Sequence, residues 1–301
     1  MLTCTFNSRF SPAFSIILWS SSAPVLLLIH AKVSIETIVF LQYLIASIVS
    51  IIFFATRQVF RCIGNGEAKE ITREIDGSFY KKIIWVFIFA GLNVLHEFFY
   101  FKGIRSDAPY EANFVNYLWP IWLFCGTVFV FDSIPKRTMV YGFISLFISL
   151  AGLSLIFIPN GNHSMSSAYP SLMGLSSSVC AAGYMLIYTH LSKKYKVNFI
   201  NIAIFSMCLS TLVSLLFVNN IKVEHLSIWD CLLIAYLGSC TIYIPEMFWA
   251  SALGKGYGSS ISKVAYLIPV LSTVSIGIVS QSFPPASTLA GGTIIIISQL
   301  I

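Results

Sequence analysis

The chain has 301 residues, of which 57% are hydrophobic and only 10% charged, with a formal net charge of +6 and a mean hydropathy of +0.83. A water-soluble domain carries about 25% charged residues, so this composition excludes an ordinary soluble globular protein and points to a bilayer as solvent. The positive charge is read as basic cytoplasmic loops rather than a nucleic-acid surface.

A membrane-spanning helix needs about 20 mostly apolar residues. Ten stretches qualify in chain order: 11–30, 35–56, 83–101, 108–131, 138–158, 171–191, 198–218, 229–250, 258–280 and 285–301. The fold class expected is all-α integral membrane. The first stretch is too long for a signal peptide and lacks a clear A-x-A cleavage site. With the N-terminus inside, thirteen of the 18 basic residues fall on the cytoplasmic side and four outside, the last being Lys263 within the ninth stretch. That bias predicts both termini in the cytoplasm. The largest loop, 57–82, is charged and cytoplasmic on this reading.

A shift of 149 residues aligns the chain on itself. Glu97-Phe98-Phe99-Tyr100 meets Glu246-Met247-Phe248-Trp249, and Tyr117-Leu118-Trp119-Pro120 meets Tyr266-Leu267-Ile268-Pro269. Ser133-Ile134-Pro135 meets Ser282-Phe283-Pro284. Two five-helix repeats, 1–158 and 159–301, are predicted. Because five is odd, the second enters the membrane inverted, an arrangement typical of secondary transporters with a midplane site between the halves.

The fourth stretch holds the polar sequence Asn113-Phe114-Val115-Asn116-Tyr117-Leu118-Trp119-Pro120. On one continuous helix, residues 113, 116, 117, 120 and 124 share a face. Amides facing lipid are costly, so this face is expected to line a cavity or an interhelical contact. Both readings stand at this point. Tyr266 is the second-half counterpart of Tyr117. Trp19, followed by three serines and Pro24, marks a broken or tightly packed first helix. Kinks are expected at Pro24, Pro120, Pro245 and Pro269.

Ionisable groups at membrane depth are functional candidates by default. Glu97 and Glu246 are expected either to couple protons or recognise an amino or carboxylate group, or to sit in buried ion pairs. Lys263 is the expected partner of Glu246, and Lys102 or Arg105 that of Glu97. His96 is either a proton relay or a hydrogen-bonded structural residue. The seven cysteines show no C-x-x-C spacing, and the histidines have no ligand spacing. No metal, cofactor or catalytic motif is expected.

The ten helices in two inverted repeats, the helix 1 Trp-Ser start, "FFYFKGIRSDAPYEANFVNYLWP" and the glycine-bearing "GFISLFISLAGL" resemble the drug/metabolite transporter superfamily in its EamA-type branch. Within it, "NYLWP" resembles the aromatic amino-acid exporters. The resemblance implies a basket-shaped monomer with a central cavity walled by helices 1, 3, 4, 6, 8 and 9, and alternating access. It implies export of aromatic amino acids or related metabolites, with His96, Tyr100, Asn116, Tyr117, Trp119 and Pro120 at the cavity or gate. A carrier or importer of a purine, S-adenosylmethionine or a sugar is the first alternative. A membrane-embedded enzyme or structural subunit is the second.

Overall fold

In the computed structural model, residues 11–65, 79–130, 136–156, 168–195, 199–218, 226–254, 267–298 and 300 are described. Among them all regular structure is helical and no strand occurs. The helices are α1 (Ser11–Ser20), α2 (Ser22–Leu28), α3 (Ile35–Asn65), α4 (Phe79–Ile104), α5 (Pro109–Asn116), α6 (Trp119–Val130), α7 (Lys136–Ile156), α8 (Tyr169–Tyr195), α9 (Phe199–Leu215), α10 (Ile228–Tyr236), α11 (Ile244–Gly254), α12 (Leu267–Ser280) and α13 (Ala286–Ser298). A π-helical segment, Leu237–Tyr243, joins α10 to α11.

Among the described residues, four segments are long and apolar enough to cross a membrane: Ile35–Thr56, Ile83–Ile104, Tyr169–Tyr188 and Ile228–Trp249. Many large apolar side chains point outward, among them Ile48, Ile51 and Ile52 on α3, Phe147 on α7 and Ile278 on α12. Such a surface suits lipid and is poorly suited to water.

Two of the prolines expected to kink continuous helices, Pro24 and Pro120, stand instead just after helix breaks. A proline lacks an N–H, so the carbonyl four residues earlier loses its helical partner. For Pro24 that residue is Ser20, where α1 ends. For Pro120 it is Asn116, where α5 ends. For Pro245 it is Thr241, within the π segment. Pro24 and Pro120 lie in the first turn of α2 and α6, where a missing N–H costs nothing. Pro245, in contrast, follows the π segment in a run that stays helical from Ile228 to Gly254. The residues before Leu267, on which a kink at Pro269 depends, lie outside the described residues. Tight turns bridge the breaks. Ser21 N donates to Leu18 O at 3.2 Å, and Tyr117 N donates to Phe114 O at 3.1 Å.

The main pairings set α4 along α8, α3 along α9, α7 along α13 and α1 along α11, while α5 and α6 both cross α8. Small residues allow the closest approaches. A Cβ at Gly238, in the π segment, would lie 2.3 Å from the Gln42 carbonyl oxygen of α3. The main core gathers Leu26, Ile38, Tyr43, Phe101, Ile104, Ile234 and Leu237, from five of these segments.

One end of the bundle is tied by polar contacts. The Arg105 guanidinium, just past α4, donates to the carbonyls of Val33 (2.5 Å) and Ile29 (3.0 Å). Burial lowers its pKa, and the Asp230 carboxylate opposes that shift. Asp230 forms a capping box with Ser227 and also accepts from His30 N at 2.8 Å, which links α10 to the end of α2. Tyr110 Oη donates to Ser282 O at 2.7 Å, beyond α12. Lys102 lies 3.6 Å from Glu36. Neither Lys102 nor Arg105 is therefore the partner of Glu97, contrary to expectation: each is held at the helix ends by a nearer acceptor.

Candidate functional site

A cavity lies where α1, α4, α8 and α11 meet the broken stretch between α5 and α6. Its volume is about 110 Å³, well above the roughly 10–15 Å³ needed to hold one water.

The α4 face supplies Phe89, Asn93, His96, Glu97 and Tyr100, spaced at helical repeats of three and four. Glu246 and Trp249 come from α11, and Tyr184 and Tyr188 from α8. The walls are rich in aromatic side chains. Trp19 packs edge-on against Trp249 with ring centres 5.2 Å apart, and His96 stacks parallel to Tyr100 at 6.2 Å.

Polar atoms in this wall are incompletely satisfied. Asn116 Oδ1, Asn93 Nδ2 and Glu97 Oε2 are buried without a hydrogen-bond partner. Asn93 and Asn116 are each only 5% exposed. Buried polar groups are usually paired, so open valences around a cavity are what a ligand-binding wall presents. Among the described residues the lining carries two carboxylates and no lysine or arginine. A positively charged occupant is thereby favoured over a negative one.

His96 is held from behind. Ser177 Oγ donates its proton to the His96 carbonyl at 2.9 Å, so at 2.8 Å from Nδ1 it acts as acceptor. Ser177 O, also an acceptor, lies 3.1 Å from Nδ1. Both contacts assign the proton to Nδ1. In the neutral ring Nε2 is left with a lone pair, 3.9 Å from Glu97 Oε1, and both residues line the cavity.

Of the residues singled out in the sequence, Trp19, His96, Glu97, Tyr100, Asn116, Tyr117, Trp119 and Glu246 line this cavity. Asn113 does not. It is fully buried, accepts from Tyr100 Oη at 2.8 Å and donates to Ser272 Oγ at 2.8 Å and Thr273 Oγ1 at 3.1 Å, tying α5 to α12. Pro120 is also outside the lining, in the first turn of α6. The single polar face expected across 113–124 is divided because the helix stops at Asn116. Trp122, beyond the break, donates to Ser178 Oγ at 3.0 Å and so faces α8. Tyr266 and Lys263 lie outside the described residues, and so does the contact expected between Lys263 and Glu246.

Asn93, Tyr184, Tyr188 and Trp249 also line the cavity and were not among the residues expected there. Trp249 was within reach, since the 149-residue shift pairs it with Tyr100. Asn93 lies on the same helical face as His96 and Tyr100. No signal marked the tyrosines of α8 or the role of Ser177.

No protein-family model and no curated relative matches the chain. It is similar to a solved crystal structure of a protein, over 97% of this chain and 95% of that one, with a TM-score of 0.63 and 19% identity. At that identity the likeness is one of fold.

Proposed function

We propose that this chain is a multi-pass inner- or plasma-membrane secondary transporter of the EamA type, exporting small metabolites by alternating access. Aromatic or neutral amino acids are the leading substrates. The observation that carries the proposal is that Glu97 and Glu246, equivalent under the 149-residue shift, line one cavity whose walls are rich in aromatic side chains. Pockets of this kind, apolar with a few polar groups, suit small solutes.

The helix pairings support two inverted five-helix repeats. The contact of α4 with α8 has its counterpart in that of α11 with α1. The pairs α3 with α9 and α7 with α13 join equivalent positions. Ser149 and Ser298, 149 residues apart, share a hydrogen bond, as two equivalent residues on a pseudo-two-fold axis would. Helices broken beside a cavity are a recurring feature of transporters. A monomer with both termini in the cytoplasm follows from the same reading, and Glu97 and Glu246 are the proposed proton-coupling groups.

The test is counterflow of labelled phenylalanine, tyrosine and tryptophan in liposomes, with and without a pH gradient. Wild type should exchange at least one of them and Asn116→Ala should lose most of that exchange. No exchange of any aromatic amino acid removes the substrate class, and failure across a wider panel of metabolites removes the transport reading.

A further inference from the structure

We infer that the corner formed by His96 and Glu97 is a seat for a protonated amine, so that the solute is recognised by its ammonium group. This deepens the proposed function and rests on the cavity being the substrate site.

The geometry supplies two acceptors. His96 Nδ1 is committed to Ser177, which leaves Nε2 as a lone pair. Glu97 Oε1 lies 3.9 Å from Nε2, too far for a direct hydrogen bond. An ammonium nitrogen about 2.8 Å from each oxygen or nitrogen acceptor bridges that gap with two of its three N–H bonds. Asn116 Oδ1, buried in the same wall and unpartnered, is a further acceptor for the amine or its substituent. Around these acceptors stand Tyr100, Trp19 and Trp249, whose ring faces suit both an aromatic side chain and a cation.

Ser177 is, on this account, a positioning residue. It does not reach the solute. It selects the imidazole tautomer that accepts rather than donates toward the cavity. Without its hydroxyl only the Ser177 carbonyl, 3.1 Å from Nδ1, still holds the proton there, so the share of the Nε2–H tautomer, which would repel an ammonium, rises.

The probe is tritiated tryptamine, bound at equilibrium to the full chain in lipid nanodiscs, with tryptophan and indole-3-propionate as competitors. Tryptamine is expected to bind. Indole-3-propionate, which lacks the amine, should compete about 100-fold more weakly, because the seat's acceptors are then left unpaired. Glu97→Gln should weaken tryptamine by a factor similar to that, and Ser177→Ala by about tenfold. Nitrogen-15 spectra of labelled histidine should show His96 protonated at Nδ1 in the wild type and a mixture of tautomers in Ser177→Ala, a change that a purely packing role would not produce. Equal competition by the two indoles, or absence of tryptamine binding, overturns the seat, and this arm needs no variant to fold. Tryptophan counterflow separates the two claims. Exchange accompanied by equal competition removes the seat alone; amine-selective binding without exchange of any solute removes transport alone.

Discussion

Asn113 and Asn116 stand one helical turn apart and do opposite work. Asn113 is saturated, with contacts to Tyr100, Ser272 and Thr273 in a site closed to solvent. Asn113→Leu leaves those hydroxyls unpaired and is expected to destabilise the protein by about 2–4 kcal/mol, read as a lowered Tm in detergent. Asn116→Ala removes an amide whose oxygen has no partner, so the fold should lose less than about 1 kcal/mol while solute exchange falls. Equal thermal losses in the two variants would contradict this division. The sequence made both amides visible, since polar residues in an apolar stretch stand out. It left their separation hidden, because that depends on the helix ending at Asn116, and on Ser272 and Thr273 lying 159 and 160 residues further along.

At the scale of elements, the prolines and the π segment place the site. Breaks at Ser21 and at 117–118 bring Trp19, Asn116, Tyr117 and Trp119 onto one space. The π segment, Leu237–Tyr243, contributes Thr241 and Ile242 to the same wall just before Glu246. Its close seat on α3 requires Gly238. A methyl there would meet the Gln42 carbonyl oxygen at 2.3 Å and the Ile45 Cβ at 2.9 Å, both poorly able to move. Gly238→Ala is expected to cost about 1–3 kcal/mol, measured by thermal unfolding, and a neutral result would show that this approach is not tight. Helical content was legible from apolar runs, and the break positions were half legible from the prolines. The π segment was half legible too, because Pro245 frees the Thr241 carbonyl within it, but its close seat on α3 through Gly238 was not.

Across the whole molecule, the polar ties gather at one end of the bundle, where Arg105 and Asp230 hold the loop that follows α2. Asp230→Ala removes a helix cap and the bond to His30 N. It should speed hydrogen exchange in peptides spanning residues 29–37 while leaving α7 and α13 unchanged. Uniform acceleration, or none, would mean that this end is not a separate latch. The internal repeat was the sequence's most informative long-range signal. It pairs Glu97 with Glu246 without any contact being known, since equivalent positions in a two-fold arrangement approach one another near the axis. It gave no sight of Tyr184 and Tyr188 on α8, which have no matching motif.

The most direct measurement is tryptophan counterflow in proteoliposomes, comparing wild type with the double variant Glu97→Gln, Glu246→Gln. The account predicts exchange by the wild type and its loss in the double variant, with Tm preserved or raised because two buried charges are removed. Undiminished exchange by the double variant would contradict a central role for the two carboxylates, and no exchange by a well-folded wild type would contradict the assignment of this cavity to aromatic amino acids.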